Sequence, residues 1–194
     1  MYDQLIKSVS KYVQLAPKEK EHFVSQFIFR EVPNQYRIVE EGAVCREVFF
    51  LLKGCVRLYY LKDGEELSGF LFTENMFFNS FESFLSGMPS VQILETVEPC
   101  EVLVLSKDKL DALFIEMPIM NTLFRKMLEE RFINAQRVVA TFVMDKPEER
   151  YLGILASNPA LLQRFPQHML ATYLGITPVS LSRIRKRIAK RKGK

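Results

Sequence analysis

The segment HMLATYLGITPVSLSRIRKRIAKRKGK, from His168 to Lys194, contains the densest group of charged side chains in the sequence. Residues 183–194 hold eight Lys and Arg residues and no acid, although the net charge of all 194 residues is only +4. The remainder of the chain is therefore mildly acidic. An acidic body with one concentrated basic segment favours a polyanion as the binding partner.

The same segment has the residues that a helix-turn-helix requires, in the required order. Ala171 is a small residue where two helices would cross, and Gly175 follows it where the turn needs a positive φ. Thr177 can cap a second helix that begins with Pro178. The inner faces would be apolar through Leu170, Leu174, Ile176, Leu181 and Ile184. We therefore predict a helix-turn-helix; the alternative is an ordinary helical hairpin with a solvated basic tail.

Hydroxyl and basic side chains lie outside the predicted core of this motif and are candidate DNA contacts. Arginine can bind guanine O6 and N7 with two hydrogen bonds, and both residue types can bind phosphate. We expect Arg183 and Ser180 to read bases and the other cations to contact mainly phosphates. The candidate DNA-binding residues are Thr177, Ser180, Ser182, Arg183, Lys186 and Arg187.

The segments before this motif alternate between two patterns. The first thirty residues look helical, with Pro17 in the first turn of a helix. From Tyr36 to about Leu105, short apolar runs separated by glycine-bearing turns predict a β-sandwich or barrel, and Asp63-Gly64 predicts a hairpin. Phenylalanines are frequent between residues 70 and 84, where they would form either a filled core or an apolar ligand pocket.

Residues 119–144 lack glycine and proline and predict one long helix. A seam at roughly 3.5-residue spacing could pack across the chain's own domain or pair with a second copy; we favour pairing. The seam consists of Met120, Phe124, Met127, Arg131, Asn134, Val138 and Thr141.

Other functional classes find little support in the sequence. No apolar run is long enough to span a bilayer, and the N-terminus lacks a signal-peptide core, so we expect a cytoplasmic protein without membrane contact. Cys45, Cys55 and Cys100 are widely spaced and are expected to be buried thiols. With only two histidines, no Gly-rich phosphate loop and no HExxH motif, we expect neither an enzyme nor a bound cofactor or metal.

These motifs together resemble those of the Crp/Fnr family of bacterial transcription regulators. The stretch LATYLGITPVSLSRIRKRI is similar to the family's helix-turn-helix, and EERYLGIL to the helix before it. The stretch VEEGAVCREVFFLLKGCVRLYY resembles the opening strands of the family's cyclic-nucleotide-binding jelly roll, with Gly42 and Gly54 at turn positions. In that family an arginine six residues after the helix cap contacts a base, and Arg183 has that place here. Two earlier family positions, often arginine and glutamate, are Pro178 and Val179.

The resemblance implies an α+β multidomain fold in three parts. Residues 1–117 would form an N-terminal antiparallel β jelly roll of the cyclic-nucleotide-binding type. Residues 118–145 would form a dimerisation helix, and residues 146–194 a winged-helix-type helix-turn-helix domain.

The resemblance also locates an effector pocket whose phosphate-binding signature is degenerate. The family signature is a Gly-Glu pair followed about ten residues later by Arg-Ser; Asn79-Ser80, after Phe78, and Pro89-Ser90 stand there instead. Residues 63–106 contain eight acids and no Lys or Arg, so a buried phosphate would be unpaired. We therefore do not expect cAMP as the effector; the sequence leaves open an unknown small molecule or none.

The sequence thus predicts a homodimeric, sequence-specific regulator that binds double-stranded DNA, with RNA polymerase as a further candidate partner. The alternative is a cyclic-nucleotide or small-molecule sensor that acts through protein contacts.

Overall fold

The structure is a computed structural model that describes residues 1–192; Gly193 and Lys194, at the end of the basic segment, lie outside the described residues. Two helices precede the strands, α1 (Tyr2–Val9) and α2 (Pro17–Ser25). The strands are β1 (Ile28–Val32), β2 (Arg37–Val39), β3 (Glu47–Lys53), β4 (Val56–Lys62), β5 (Glu65–Phe72), β6 (Phe77–Phe78), β7 (Ile93–Thr96) and β8 (Cys100–Ser106). The later helices are α3 (Phe81–Ser86), α4 (Lys107–Glu116), α5 (Ile119–Met144), α6 (Pro147–Ser157), α7 (Pro159–Arg164), α8 (Gln167–Tyr173) and α9 (Pro178–Lys192).

The strands form two antiparallel sheets that enclose the core, in the orders β1-β8-β3-β6 and β2-β7-β4-β5. The central strands β3 and β8 are buried along most of their length, because helices α1 and α4 cover the side that does not face the other sheet. Their continuous apolar runs, VFFLL and VLVL, follow from this double coverage. The predicted antiparallel sandwich is confirmed.

The turn between β4 and β5 has the geometry that its sequence predicts. Asp63 and Gly64 have φ values of 53° and 81°, as the two central residues of a type I′ hairpin turn require. The three cysteines are buried and free of disulfides, also as predicted.

One part of the N-terminal prediction was wrong, because Ile28–Val32 is a strand and not the end of a helix. Phe23 and Phe27, just before this segment, have the spacing of one helical face, and both rings are buried. The backbone of β1 nevertheless pairs with β8 over five residues, from Ile28 opposite Val104 to Val32 opposite Cys100. Pairing with a distant strand overrides the local helical pattern here.

The expected wing is also wrong for the described residues, since residues 147–192 contain four helices and no strand. Pro147 and Pro159 each occupy a first helical position, where proline's fixed φ favours helix. The segments before α8 therefore form α6 and α7, separated at Asn158. None of the helices within residues 1–192 combines the length and the apolar character that a bilayer crossing requires.

The helical C-terminal unit packs against the outer face of the β2-β7-β4-β5 sheet. Leu71 of β5 and Cys55, directly before β4, belong to the same buried cluster as Leu170 of α8. The hydroxyl of Thr172 donates to Ser68 Oγ at 2.9 Å and accepts from the Ser68 backbone N–H at 3.2 Å. Helix α8 is thus held on strand β5 by apolar contact and by paired hydrogen bonds.

Arg164, at the end of α7, forms the charged part of this contact. Its two terminal nitrogens each lie 2.7 Å from a carboxylate oxygen of Glu74, and it also binds Glu98. Glu74 additionally accepts from the backbone N–H of Gly54 at 2.9 Å. The hydrogen bonds from Arg164 are the main reason that the pKa of Glu74 is lowered to about 2.

Gly54 should tolerate no side chain, because its φ of +107° is combined with crowding. A Cβ there would lie 2.5 Å from Cys100 Sγ and 2.9 Å from the Pro99 carbonyl oxygen. We expect Gly54→Ala to lower the free energy of unfolding by about 2–4 kcal/mol. Gly42→Ala is the control, since Gly42 has φ +82° and open space around it, and should cost about 1 kcal/mol. Urea unfolding measures both; equal losses would contradict the crowding.

Arg164→Gln should reduce stability at neutral pH and flatten its acid dependence. Glu74 has a lowered pKa in the folded state, so its contribution is present above the ordinary value of 4.5 and is lost as the pH falls through about 2. We expect a loss of about 1–2 kcal/mol at neutral pH, since the pair is partly solvated. Unfolding followed between pH 5 and pH 2 should then change less in the variant than in the wild type.

The matched control is Arg30→Gln, which breaks the more exposed Arg30–Glu47 pair on the same sandwich. It should change neither the stability at neutral pH nor the acid dependence measurably. If the two variants behaved alike, the contact of Arg164 with the sheet would contribute no more than a surface ion pair.

Candidate nucleic-acid interface and effector region

Helices α8 and α9 cross in the way that the sequence predicts for a helix-turn-helix. Gly175 has φ +68°, and the following amide of Ile176 bonds to the Ala171 carbonyl at 2.9 Å. The predicted core positions Leu170, Ala171, Leu174, Leu181 and Ile184 are buried, and Ile176 is half-buried. The two helices therefore share one apolar seam, and the turn between them is fixed by backbone hydrogen bonds.

The start of α9 is capped by the predicted residue. The Ser180 backbone N–H donates to Thr177 Oγ1 at 3.2 Å, and the Thr177 hydroxyl donates to Ser180 Oγ at 3.0 Å. From α8, Gln167 Nε2 donates to the Pro178 carbonyl at 2.8 Å. The Thr177 cap and the hydrogen bond from α8 thus fix the first turn of α9. The directions of the side chains on this turn are fixed with it.

The exposed face of α9 carries Val179, Arg183, Lys186 and Lys190, at spacings of four, three and four residues. This face lies opposite the buried Leu181, Ile184 and Ile188. Within residues 1–192, neither Arg183 nor Lys186 has a carboxylate within ion-pair distance. Val179 is 62% exposed although it is apolar. Sequence reasoning did not select Lys190 or Val179, although their spacing from Arg183 indicates the same face.

The remaining predicted DNA contacts are placed differently. Arg187 is exposed but forms an ion pair with Glu148 of α6, which also binds Arg191 at 2.7 Å. Ser180 and Ser182 are half-buried at the border of the exposed face. Glu148, which the sequence analysis did not select, therefore divides the basic residues of α9 into a paired group and a free group.

The positions of the degenerate phosphate signature form a closed network of hydrogen bonds. Ser80 and Ser90 are 1% and 3% exposed, and their hydroxyl oxygens lie 2.7 Å apart. Ser80 also bonds to Gln92 Oε1 at 3.0 Å, and Gln92 Nε2 donates to the Tyr60 hydroxyl at 2.7 Å. Asn79 is buried beside them. The hydroxyl groups that stand at the signature positions are already bound to protein partners.

Within the described residues, one buried guanidinium lies on strand β4, but it points away from the signature positions. Arg57 of β4 is 1% exposed and lies 2.5 Å from Glu66 and 3.6 Å from Glu95. Its neighbours Val56 and Leu58 belong to the central core, so Arg57 lies on the opposite face of the strand. Among residues 1–192, its Nε and Nη1 have no hydrogen-bond partner. Arg57 is therefore not available to the signature positions.

The predicted seam of α5 faces the chain's own sandwich in its first half. Met120 is buried, and Phe124 and Met127 pack on the central core. The Arg131 guanidinium lies over the Phe81 ring at 4.5 Å. Farther along, Val138 is half-buried and Asn134 is exposed. The seam spacing was read correctly, but its first members cover this chain's own core.

A different face of α5 is apolar and exposed. Phe132, Val139 and Val143 are 66%, 59% and 79% exposed, and Gln136 lies between the first two. Their spacing of four, three and four residues is that of a coiled-coil seam. We refer to these four residues as the apolar stripe.

The family comparison identifies the β domain, and the structural comparisons extend over nearly the whole chain. Residues 29–116 match the family model of the cyclic nucleotide-binding domain. No curated protein sequence matches the chain significantly. The global regulator CLP of Xanthomonas campestris is 20% identical and superposes with a TM-score of 0.70 over 89% of this chain and 91% of that chain.

Two further solved structures have the same architecture. FixK2 of Bradyrhizobium japonicum is 18% identical, with a TM-score of 0.72 over 86% of each chain. The catabolite activator protein of Thermus thermophilus is 22% identical, with a TM-score of 0.60 over 95% of this chain and 88% of that chain. At these identities the similarity establishes the fold. The chain therefore combines a cyclic nucleotide-binding domain, at residues 29–116, with the fold of these three regulatory proteins.

Proposed function

We propose that this protein is a homodimeric, sequence-specific DNA-binding transcription regulator. The observation that carries the proposal is the exposed face of α9, where free cations project from a helix whose opposite face is fixed against α8. The similar structure of CLP is described as that of a global regulator linked to virulence gene expression, which supports the same class of function. We divide the chain into a sensor domain (1–117), a dimerisation helix (118–145) and a DNA-binding domain (146–194).

In this proposal α9 enters the major groove with its exposed face toward the bases. Arg183 lies at the centre of that face and would bind a guanine edge, while Lys186 and Lys190 contact phosphates. Val179, at the start of the face, would contact a thymine methyl group. Arg187 would have to break its ion pair with Glu148 to reach DNA, so we expect it to contribute less to DNA binding. The cap residues Thr177 and Ser180 orient the first turn, and Ser182 borders the contact.

The proposed sensor does not respond to cAMP. A phosphate at the signature positions would displace the bonds among Ser80, Ser90 and Gln92 and would find no cation in return. Burying an unpaired anion costs several kcal/mol at least. The effector, where one acts, therefore has to bind by other contacts.

Dimerisation would use the apolar stripe of α5, because this surface is the long exposed apolar face of the helix. Two stripes packed side by side bury Phe132, Val139 and Val143 against their copies. A two-fold axis parallel to the paired α5 helices would bring two α9 helices, one from each copy, to the DNA. The bound DNA would then be an inverted repeat with half-sites about one helical turn apart.

Arg183→Ala should reduce discrimination between sites more than it reduces affinity for random DNA. A lost bidentate base contact is worth about 1–3 kcal/mol, so we expect a loss of roughly 5- to 150-fold on the preferred inverted repeat. Gel-shift titration on selected genomic fragments and on random DNA measures both affinities. Arg46→Ala, which removes one exposed charge from the β domain, is the control and should change neither.

Equal losses of Arg183→Ala on both kinds of DNA would refute the base-reading role. Weak, sequence-independent binding by the wild type would instead favour a sensor that acts through protein contacts.

Val139→Asp should convert the dimer into a monomer, because it places a charge in the centre of the apolar stripe. Sedimentation equilibrium should show at least a tenfold weaker association. Ile115→Asp is the matched control, since Ile115 is 84% exposed on α4, away from the stripe, and should leave the dimer intact. A dimer that persists in Val139→Asp would show that another surface forms the contact.

A further inference from the structure

A cavity of about 310 Å³ lies between helix α1, strands β5 and β6, and helix α5. Most of its wall is aromatic or apolar. The side chains that matter most here are Phe70, Phe72, Phe77, Phe81, Met127 and Arg131. Asn79 of the degenerate signature also lines it, whereas Ser80, Ser90 and Gln92 do not; the cavity therefore adjoins the signature and lies outside its network of hydrogen bonds. Its volume is at the lower end of the range for small-molecule sites.

Arg131 is the feature that gives this cavity a chemical preference. Its guanidinium lies over the Phe81 ring at 4.5 Å, and burial lowers its pKa. No carboxylate in residues 1–192 lies within ion-pair distance of it. The adjacent Glu130 binds the Tyr12 hydroxyl instead, and Lys11 adds a second positive charge to the lining. The cavity thus has an apolar body and an excess of positive charge.

We propose that this cavity binds an apolar monocarboxylate, with the hydrocarbon or aromatic body among the phenylalanine rings and the carboxylate on Arg131. A carboxylate accepts two hydrogen bonds from one guanidinium, which matches the Arg131 guanidinium at this wall. The inference rests on the proposed function only in that it treats the cavity as the effector site of the regulator.

Other ligand classes fit this wall less well. A phosphate dianion would need more donors than one guanidinium and would lie near Glu130. A cationic ligand would be repelled by Arg131 and Lys11. A neutral apolar ligand would leave a partly desolvated guanidinium without a partner, and such a group is costly when unpaired.

The position of the cavity also connects it to the helix-turn-helix. Helix α5 contributes Met127 and Arg131 to the cavity and, farther along, Phe142 to the C-terminal unit. A Cβ on Gly175 would lie only 3.0 Å from the Phe142 ring. Arg150 lies over the same ring at 4.6 Å and donates to the Leu174 carbonyl at 2.8 Å. A ligand that shifts α5 would therefore shift the turn between α8 and α9.

The test compares two probes with the same body, phenylbutyrate and phenylbutanol, by isothermal titration calorimetry on the full chain without DNA. The wild type should bind the carboxylate at least tenfold more tightly than the alcohol, as a charge-assisted contact predicts. In Arg131→Met the two probes should bind equally, and Arg131→Lys should restore part of the preference. The control Arg125→Met, on the same helix but exposed and paired with Glu129, should behave as the wild type.

Every outcome of these titrations either supports or overturns the proposed carboxylate site. Equal binding of both probes by the wild type, no binding of either, or an undiminished preference in Arg131→Met would overturn it. Because DNA is absent, these results are independent of the gel-shift titration. A chain that binds phenylbutyrate but no specific DNA would retain the site and lose the proposed function.

Discussion

The contact between helix α8 and strand β5 is the constraint on which the placement of helix α9 depends. The C-terminal unit is small, and its apolar surface is completed by Leu71 of β5 and by Cys55, directly before β4. The reciprocal hydrogen bonds of Thr172 with Ser68 fix the position of α8 along the strand, and Arg164, at the end of α7, adds ion pairs with Glu74 and Glu98 to the same contact. Because α9 is packed and capped against α8, the direction of its exposed face follows from this contact.

The cations on different surfaces of the protein differ in how they are paired. The acids of the β domain pair with the buried Arg57 and with the partly exposed Arg164, so these cations are structural. On α6, Glu148 binds the side of α9 that carries Arg187 and Arg191. Arg183 and Lys186 are the cations that the proposed function leaves to bind DNA. A modest net charge of +4 thus produces a strongly basic face because the pairing is unequal.

Local patterns in the sequence predicted the helix-turn-helix, the hairpin turn and the long helix. Gly175 has the positive φ of the turn, Thr177 caps α9, and Asp63-Gly64 forms the type I′ turn, because each depends on residues within a few positions. The strand Ile28–Val32 and the absence of a wing in residues 147–192 were not predicted. The first is decided by pairing with β8, some seventy residues away, and the second was carried over from the family resemblance without support from local residues.

The sequence alone therefore determined most of the element types, the shared core of helices α8 and α9 and the residues that stand at the phosphate-signature positions, since these follow from residue identity and short-range spacing. Tertiary structure decided which stripe of α5 covers the β domain and which stays exposed, because both stripes have helical spacing. It also decided that, within residues 1–192, Arg187 is paired while Arg183 and Arg131 have no carboxylate within ion-pair distance. Such outcomes depend on which distant side chains come into contact, and periodicity along one helix carries no information about that.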